Sequence, residues 1–131
     1  MPSDTQAAPA SKKMLWIGWI LSILPALMLL SGGVMSLVKP SFAQEGLAHY
    51  GYPVSAALPL GIVELVCAVL YLIPRTSILG ALLLTAYLGG ATATHVRAGE
   101  PFYLPILVGV LVWAGLLLRE SRLRPLLPLT R

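Results

Sequence analysis

The chain has 131 residues, 57% of them hydrophobic and 11% charged, where soluble proteins average about a quarter charged. A single domain of that size leaves too much of its area exposed to hide so much apolar surface from water, so a soluble globular fold is excluded and lipid is the expected solvent. The formal net charge of +4 does not indicate nucleic acid, because the cations sit at the chain ends and in short connections and form no basic stripe.

Residues 1–13 (MPSDTQAAPASKK) are polar, rich in small residues and proline, and without periodicity, which predicts a disordered tail. Residues 14–38 carry no charge until Lys39 and exceed the roughly 20 residues needed to cross a bilayer. Trp16 and Trp19 fall where an interfacial aromatic belt would place them, and Pro25 near the middle is tolerated in a membrane helix. Residues 39–54 (KPSFAQEGLAHYGYPV) are of mixed polarity, and a short interfacial helix over residues 41–49 is expected there, capped by Ser41 and ended by Gly51. A second apolar run covers residues 55–73 and contains one charge, Glu64; Pro74-Arg75-Thr76 then turns the chain into a third run over residues 77–96. A second tight connection, residues 97–101, leads to a fourth run over residues 102–118 and a basic tail over residues 119–131. Connections this short make successive helices antiparallel neighbours.

The expected fold is therefore all-α, a membrane four-helix bundle of up-down topology occupying residues 14–118. Its orientation follows from cation placement: Lys12, Lys13, Arg75, Arg119, Arg122, Arg124 and Arg131 lie on one side, and only Lys39 and Arg97 on the other. Both termini are predicted in the cytoplasm. A basic start followed by an apolar run and Ser41-Phe42-Ala43 resembles a cleavable signal peptide, but the run is longer than the ~7–15 residues of a signal core.

Packing in lipid needs close approach and polar contacts. Ser77, Ala81, Thr85, Gly89 and Ala93 recur every four residues and are expected to form the packing ridge of the third helix, with Ala57 and Gly61 on the second and Gly32-Gly33 on the first. The single cysteine, Cys67, lies in an apolar run, forms no Cys-x-x-Cys motif and reads as a buried structural thiol.

Glu64 is the most informative residue. A charge at the centre of a span is disfavoured by about 2.5–3.5 kcal/mol on insertion scales, so its carboxyl should face the bundle. It lies ten residues before Pro74, while Tyr87 lies eleven after Thr76; in antiparallel neighbours both sit about 15 Å from the turn. Tyr87, Ala91, Thr94 and His95 share one stripe, so Tyr87 can bond Glu64 while Thr94 and His95 line a path to the surface. Glu64, Tyr87, Thr94 and His95 are thus the candidate ligand- or proton-binding residues, with Glu64 at the floor of an outward-opening pocket and Ser31, Thr94, His95 and either Lys39 or His49 at its expected rim. A cavity so built would take a quinone-like or other amphipathic molecule. The competing expectation is that the same residues are polar glue between helices. No metal site is predicted, since His49 and His95 lack a third ligand at recognisable spacing. No catalytic residue is predicted either: there is no nucleophile–base pair and no cofactor fingerprint.

The stretch 58–99 (LPLGIVELVCAVLYLIPRTSILGALLLTAYLGGATATHVRAG) resembles the DoxX-like family of small bacterial membrane proteins. The resemblance rests on Gly61 three residues before Glu64, the Ile73-Pro74-Arg75 turn, and a small-residue helix ending in Thr94-His95 with Gly99 close behind. Upstream, Ser31-Gly32-Gly33 followed by Lys39 resembles the family's Gly-x-x-Lys segment with a longer spacing. The resemblance implies a four-helix protein of the bacterial inner membrane. Relatives belong to membrane redox modules, including a subunit of a thiosulfate:quinone oxidoreductase. Most members are uncharacterised four-helix proteins, so the resemblance suits an accessory role beside other subunits of a redox complex and does not by itself make the chain an enzyme.

Overall fold

The computed structural model describes residues 11–126, and every regular element among them is helical. They are α1 (Lys12–Val38), α2 (Pro40–His49), α3 (Ala57–Leu72), α4 (Ser77–Arg97) and α5 (Tyr103–Arg119), with single 3-10 turns at Val54–Ala56 and Arg124–Leu126. The tail expected over residues 1–13 falls mostly outside the described residues; its last part does not, because Lys12 and Lys13 open α1. Ser11 starts that helix, its Oγ accepting the Met14 N–H at 3.1 Å. Residues 127–131, the end of the basic tail, also lie outside the description.

Three helices are long and apolar enough to cross a bilayer: α1, α3 with its preceding 3-10 turn, and α4. The fourth, α5, has 17 residues and is shorter than the others. It reaches about 25 Å, the lower limit for a span. The chain is a multi-pass membrane protein whose composition is turned outward. Ile20, Leu24, Val66, Leu82, Leu107 and Val110 are all exposed, as lipid-facing side chains are.

The four long helices close into a ring. α1 packs on α3 and α5, and α4 completes it between them. Close approach is set by glycines. A Cβ on Gly18 would stand 3.0 Å from the Gly115 carbonyl of α5, and one on Gly33 would stand 3.1 Å from the Gly61 carbonyl of α3. These paired positions let backbones touch where lipid supplies no hydrophobic drive. They also fix direction, since the start of α1 meets the end of α5 and the end of α1 meets the start of α3. Pro25 is buried within a continuous α1, and Cys67 is buried as its apolar setting implied.

At the end where α1 begins and α5 finishes, a fully buried Tyr71 ties the ring together. Its hydroxyl donates to the Val112 carbonyl at 2.6 Å and lies 3.0 Å from Ser22 Oγ. Arg119 donates to Ser22 Oγ at 2.8 Å and to the Tyr71 carbonyl at 2.7 Å. Every buried polar side chain among the described residues has a partner, as a dry interior requires.

Two expectations about packing and capping are corrected. Ser41 does not cap α2: the helix begins one residue earlier, at Pro40, with Lys39 in the capping position and no side-chain bond. Proline suits the first helical turn because its missing N–H would have no partner there. The four-residue ridge of α4 packs over only half its length. Ser77 and Ala81 are buried, but Thr85, Gly89 and Ala93 are exposed. A step of four residues turns a helix by about 40° beyond a full circle, so a strict ridge rotates off its face. The buried stripe, Ser77, Ala81, Leu84 and Leu88, mixes steps of three and four and stays on the core.

Candidate functional site

A second set of polar groups lies toward the end of the bundle opposite that of Tyr71 and Arg119. Glu64 projects from the middle of α3 and is half-buried. The Tyr87 hydroxyl of α4 donates to its Oε1 at 3.0 Å, so the level arithmetic from the Pro74 turn is met. From α1, Gly32 closes the other side: a Cβ there would stand 2.8 Å from Glu64 Oε2. The carboxylate is thus enclosed by three helices, with one oxygen engaged and the other facing bare backbone.

Glu64 opens into a cavity of about 470 Å³ walled by Ser36, Leu60, Tyr87 and, from α2, Phe42, Gly46 and Leu47. A second cavity, about 320 Å³, runs along α4 and is lined by Tyr52, Gly90, Ala91, Thr94 and His95. The two share Leu47, Tyr50, Leu60 and Tyr87 as walls. Tyr87 therefore stands between the acid and the stripe leading to Thr94 and His95.

The mouth is a hydrogen-bonded cluster drawn from three segments. Tyr52 and Thr94 share a hydroxyl–hydroxyl bond at 2.7 Å. His95 Nδ1 lies 2.7 Å from the Ala91 carbonyl, which directs its Nε2 toward the Tyr50 hydroxyl at 3.4 Å. Tyr50 donates to Glu100 Oε1 at 2.7 Å, and His49 Nε2 lies 2.6 Å from Glu100 Oε2. Arg97 donates to the Tyr50 carbonyl at 2.9 Å. Two donors directed at Glu100, from His49 first and Tyr50 second, hold its carboxyl below the ordinary range. The same bond raises the Tyr50 phenol, because ionising it would place a second negative charge beside Glu100.

This cluster pins α2. That helix buries none of its residues, and its C-terminal end is held to the α4–α5 connection by the Glu100 bonds. It serves as a polar-latched wall of the Glu64 cavity.

Glu64 and Tyr87 thus line the first cavity, and Tyr87, Thr94 and His95 the second, with Tyr87 as a common wall. The rest of the expected rim lines neither. Ser31 is exposed and bonds the Met28 carbonyl of its own helix at 2.8 Å. Lys39 is exposed at the α1–α2 junction, and His49 acts through Glu100, outside both cavity linings. Sequence reasoning also missed Glu100 and the role of Gly32. Glu100 was marked by its place in a two-turn connection that an up-down topology puts beside residues 39–54. Gly32 carried no signal separating it from its neighbour.

Among the described residues no group of three His, Cys, Asp or Glu could hold a metal ion. What the arrangement offers is an acceptor at the floor, apolar and aromatic walls, and a hydrogen-bonded titratable cluster at the mouth. A model of the DoxX-like family matches residues 20–115. No curated protein and no solved structure matches the chain.

Proposed function

The chain belongs to the DoxX-like family, and from that premise we propose that it binds a quinone-like or other small amphipathic molecule as an accessory subunit of a membrane redox system. The observation that carries this reading is the Glu64 carboxylate, hydrogen-bonded by Tyr87 and opening into a cavity walled in part by α2. An ionisable group inside a span is maintained against its insertion penalty, which favours a working role over an incidental one. Apolar walls suit a ring and tail, and the polar mouth can exchange protons with water. In this reading the protein lies in the bacterial inner membrane, crosses it four times, and keeps both termini in the cytoplasm, as the seven-against-two placement of lysine and arginine favours. It contributes binding and proton exchange, with chemistry supplied by partner subunits.

The test is purification in nanodiscs followed by mass spectrometry of co-purifying small molecules. The wild-type chain is expected to retain a quinone or similar amphiphile, and Glu64→Gln to lose most of it while inserting and folding normally. Only bulk bilayer lipid with the wild type would sink the proposal.

A purely structural role is the second reading, favoured by the contact of Gly32 with Glu64 beside the Gly33–Gly61 crossing. Under it Glu64 and Tyr87 join α1, α3 and α4 as polar glue. Glu64→Gln would then lower the stability of the bundle and leave no bound molecule to lose.

A further inference from the structure

A second site lies at the other end of the bundle, away from Glu64. Along one stripe of α1, Lys12, Leu15, Trp16 and Trp19 line a groove of about 480 Å³. Trp19 is shared with another feature: the Arg119 guanidinium stacks 4.3 Å above its ring and 4.8 Å from the Tyr71 ring. The bonds from Arg119 to Ser22 and to the Tyr71 carbonyl hold it in place over Trp19. Its partners are thus a hydroxyl, a carbonyl and two aromatic faces, and among the described residues no carboxylate lies within ion-pair distance of it. Glu120, the acid next to it in sequence, is taken by Arg122, which donates to it at 2.6 and 3.1 Å.

We propose that this groove is a binding site for one anionic phospholipid, its phosphate held between Lys12 and Arg119 and its upper acyl chain laid along Leu15 and Trp16. Charge complementarity selects the occupant. Lys12 and Trp19 line the groove, the held Arg119 guanidinium stacks on that same Trp19, and the wall continues into the lipid-facing surface of α1, where Trp16 is 71% exposed. A zwitterionic headgroup would bring a choline into the same cationic corner and gain less. Arginine presents a fork of donors that a phosphate can accept even while two of them are engaged. Tryptophan prefers this depth, with its apolar body in hydrocarbon and its N–H near the headgroups.

The test uses the full chain in detergent, titrated with phosphatidylglycerol or phosphatidylcholine and read by native mass spectrometry. Quenching of tryptophan fluorescence by phosphatidylglycerol with brominated acyl chains gives a second reading. One phosphatidylglycerol is expected to bind at least ten-fold more tightly than phosphatidylcholine. Lys12→Gln should weaken that lipid about five-fold, the worth of one cation near a membrane surface. Lys12 is exposed in the first turn of α1, so the variant keeps the fold. Trp16→Leu should remove most of the quenching and retain the apolar area. Lys39→Gln, at the opposite end, should change nothing. Equal binding of the two lipids, an equal loss in Lys39→Gln and Lys12→Gln, or displacement of the lipid by inorganic phosphate alone would each overturn the proposal.

Discussion

Glu100 shows how a single side chain can set the state of a site it does not line. Its carboxylate accepts from His49 and Tyr50, with His95 and Arg97 close by in the same cluster. Because its pKa is depressed below the ordinary value of 4.5, its contribution to holding α2 is fully present above that value and is lost as pH falls through the depressed one. Acidification below about 4.3, the usual glutamate range, should therefore loosen α2. The expected readout is faster amide exchange over residues 40–50, after correction for the intrinsic pH dependence. Glu100→Gln should exchange quickly at every pH tested; slow, pH-independent exchange in both proteins would refute the latch. Glu64 was legible from the sequence because a lone acid in an apolar run has few physical options. Tyr87 followed from counting residues around one turn. Ser31 and Lys39 did not follow, because a helix face cannot be assigned from sequence near its end, where the axis and the adjoining loop both redirect side chains.

Among the elements, α4 is where spacing misled and packing decided. Ala81 is fully buried in the apolar core, whereas a Cβ on Gly89 would meet nothing within 4 Å. Ala81→Leu should destabilise the bundle by about 1–3 kcal/mol through overpacking. Gly89→Leu should stay within about 0.5 kcal/mol of wild type, since it replaces a poor helix former at an open position. Denaturant titration in mixed micelles measures both, and equal destabilisation would show that Gly89 is covered in the protein's working assembly. The small-residue repeat was visible along the whole of α4, but only a neighbour can turn small size into contact. α2 presents the converse case: its existence was legible from its flanking prolines and Gly51, whose φ of 84° suits glycine and ends the helix. Its function as a wall was not, because the latch partner lies in another connection.

The molecule as a whole is a ring of antiparallel helices whose two ends differ in chemistry. One end is cationic and aromatic, locked by Tyr71, Ser22 and Arg119. The other is hydroxyl-rich and titratable, and leads inward to Glu64. On the proposed four crossings both termini lie on one side, so reporter fusions at residue 11 and residue 126 should both report the cytoplasm; opposite sides would mean that α5 does not cross. Composition and periodicity by themselves determined that the chain lives in lipid, how many helices it has, where they turn, and that its one mid-span acid must face inward. Those properties follow from the local cost of placing charge and backbone in hydrocarbon, which each residue carries wherever the chain goes. Only the tertiary structure decided which small residues touch, that Arg119 is held over Trp19, and that Glu100 latches the end of α2 through His49 and Tyr50. The Arg119 and Glu100 pairings join segments 45 or more residues apart, and all such contacts depend on how rods rotate about their own axes as they pack.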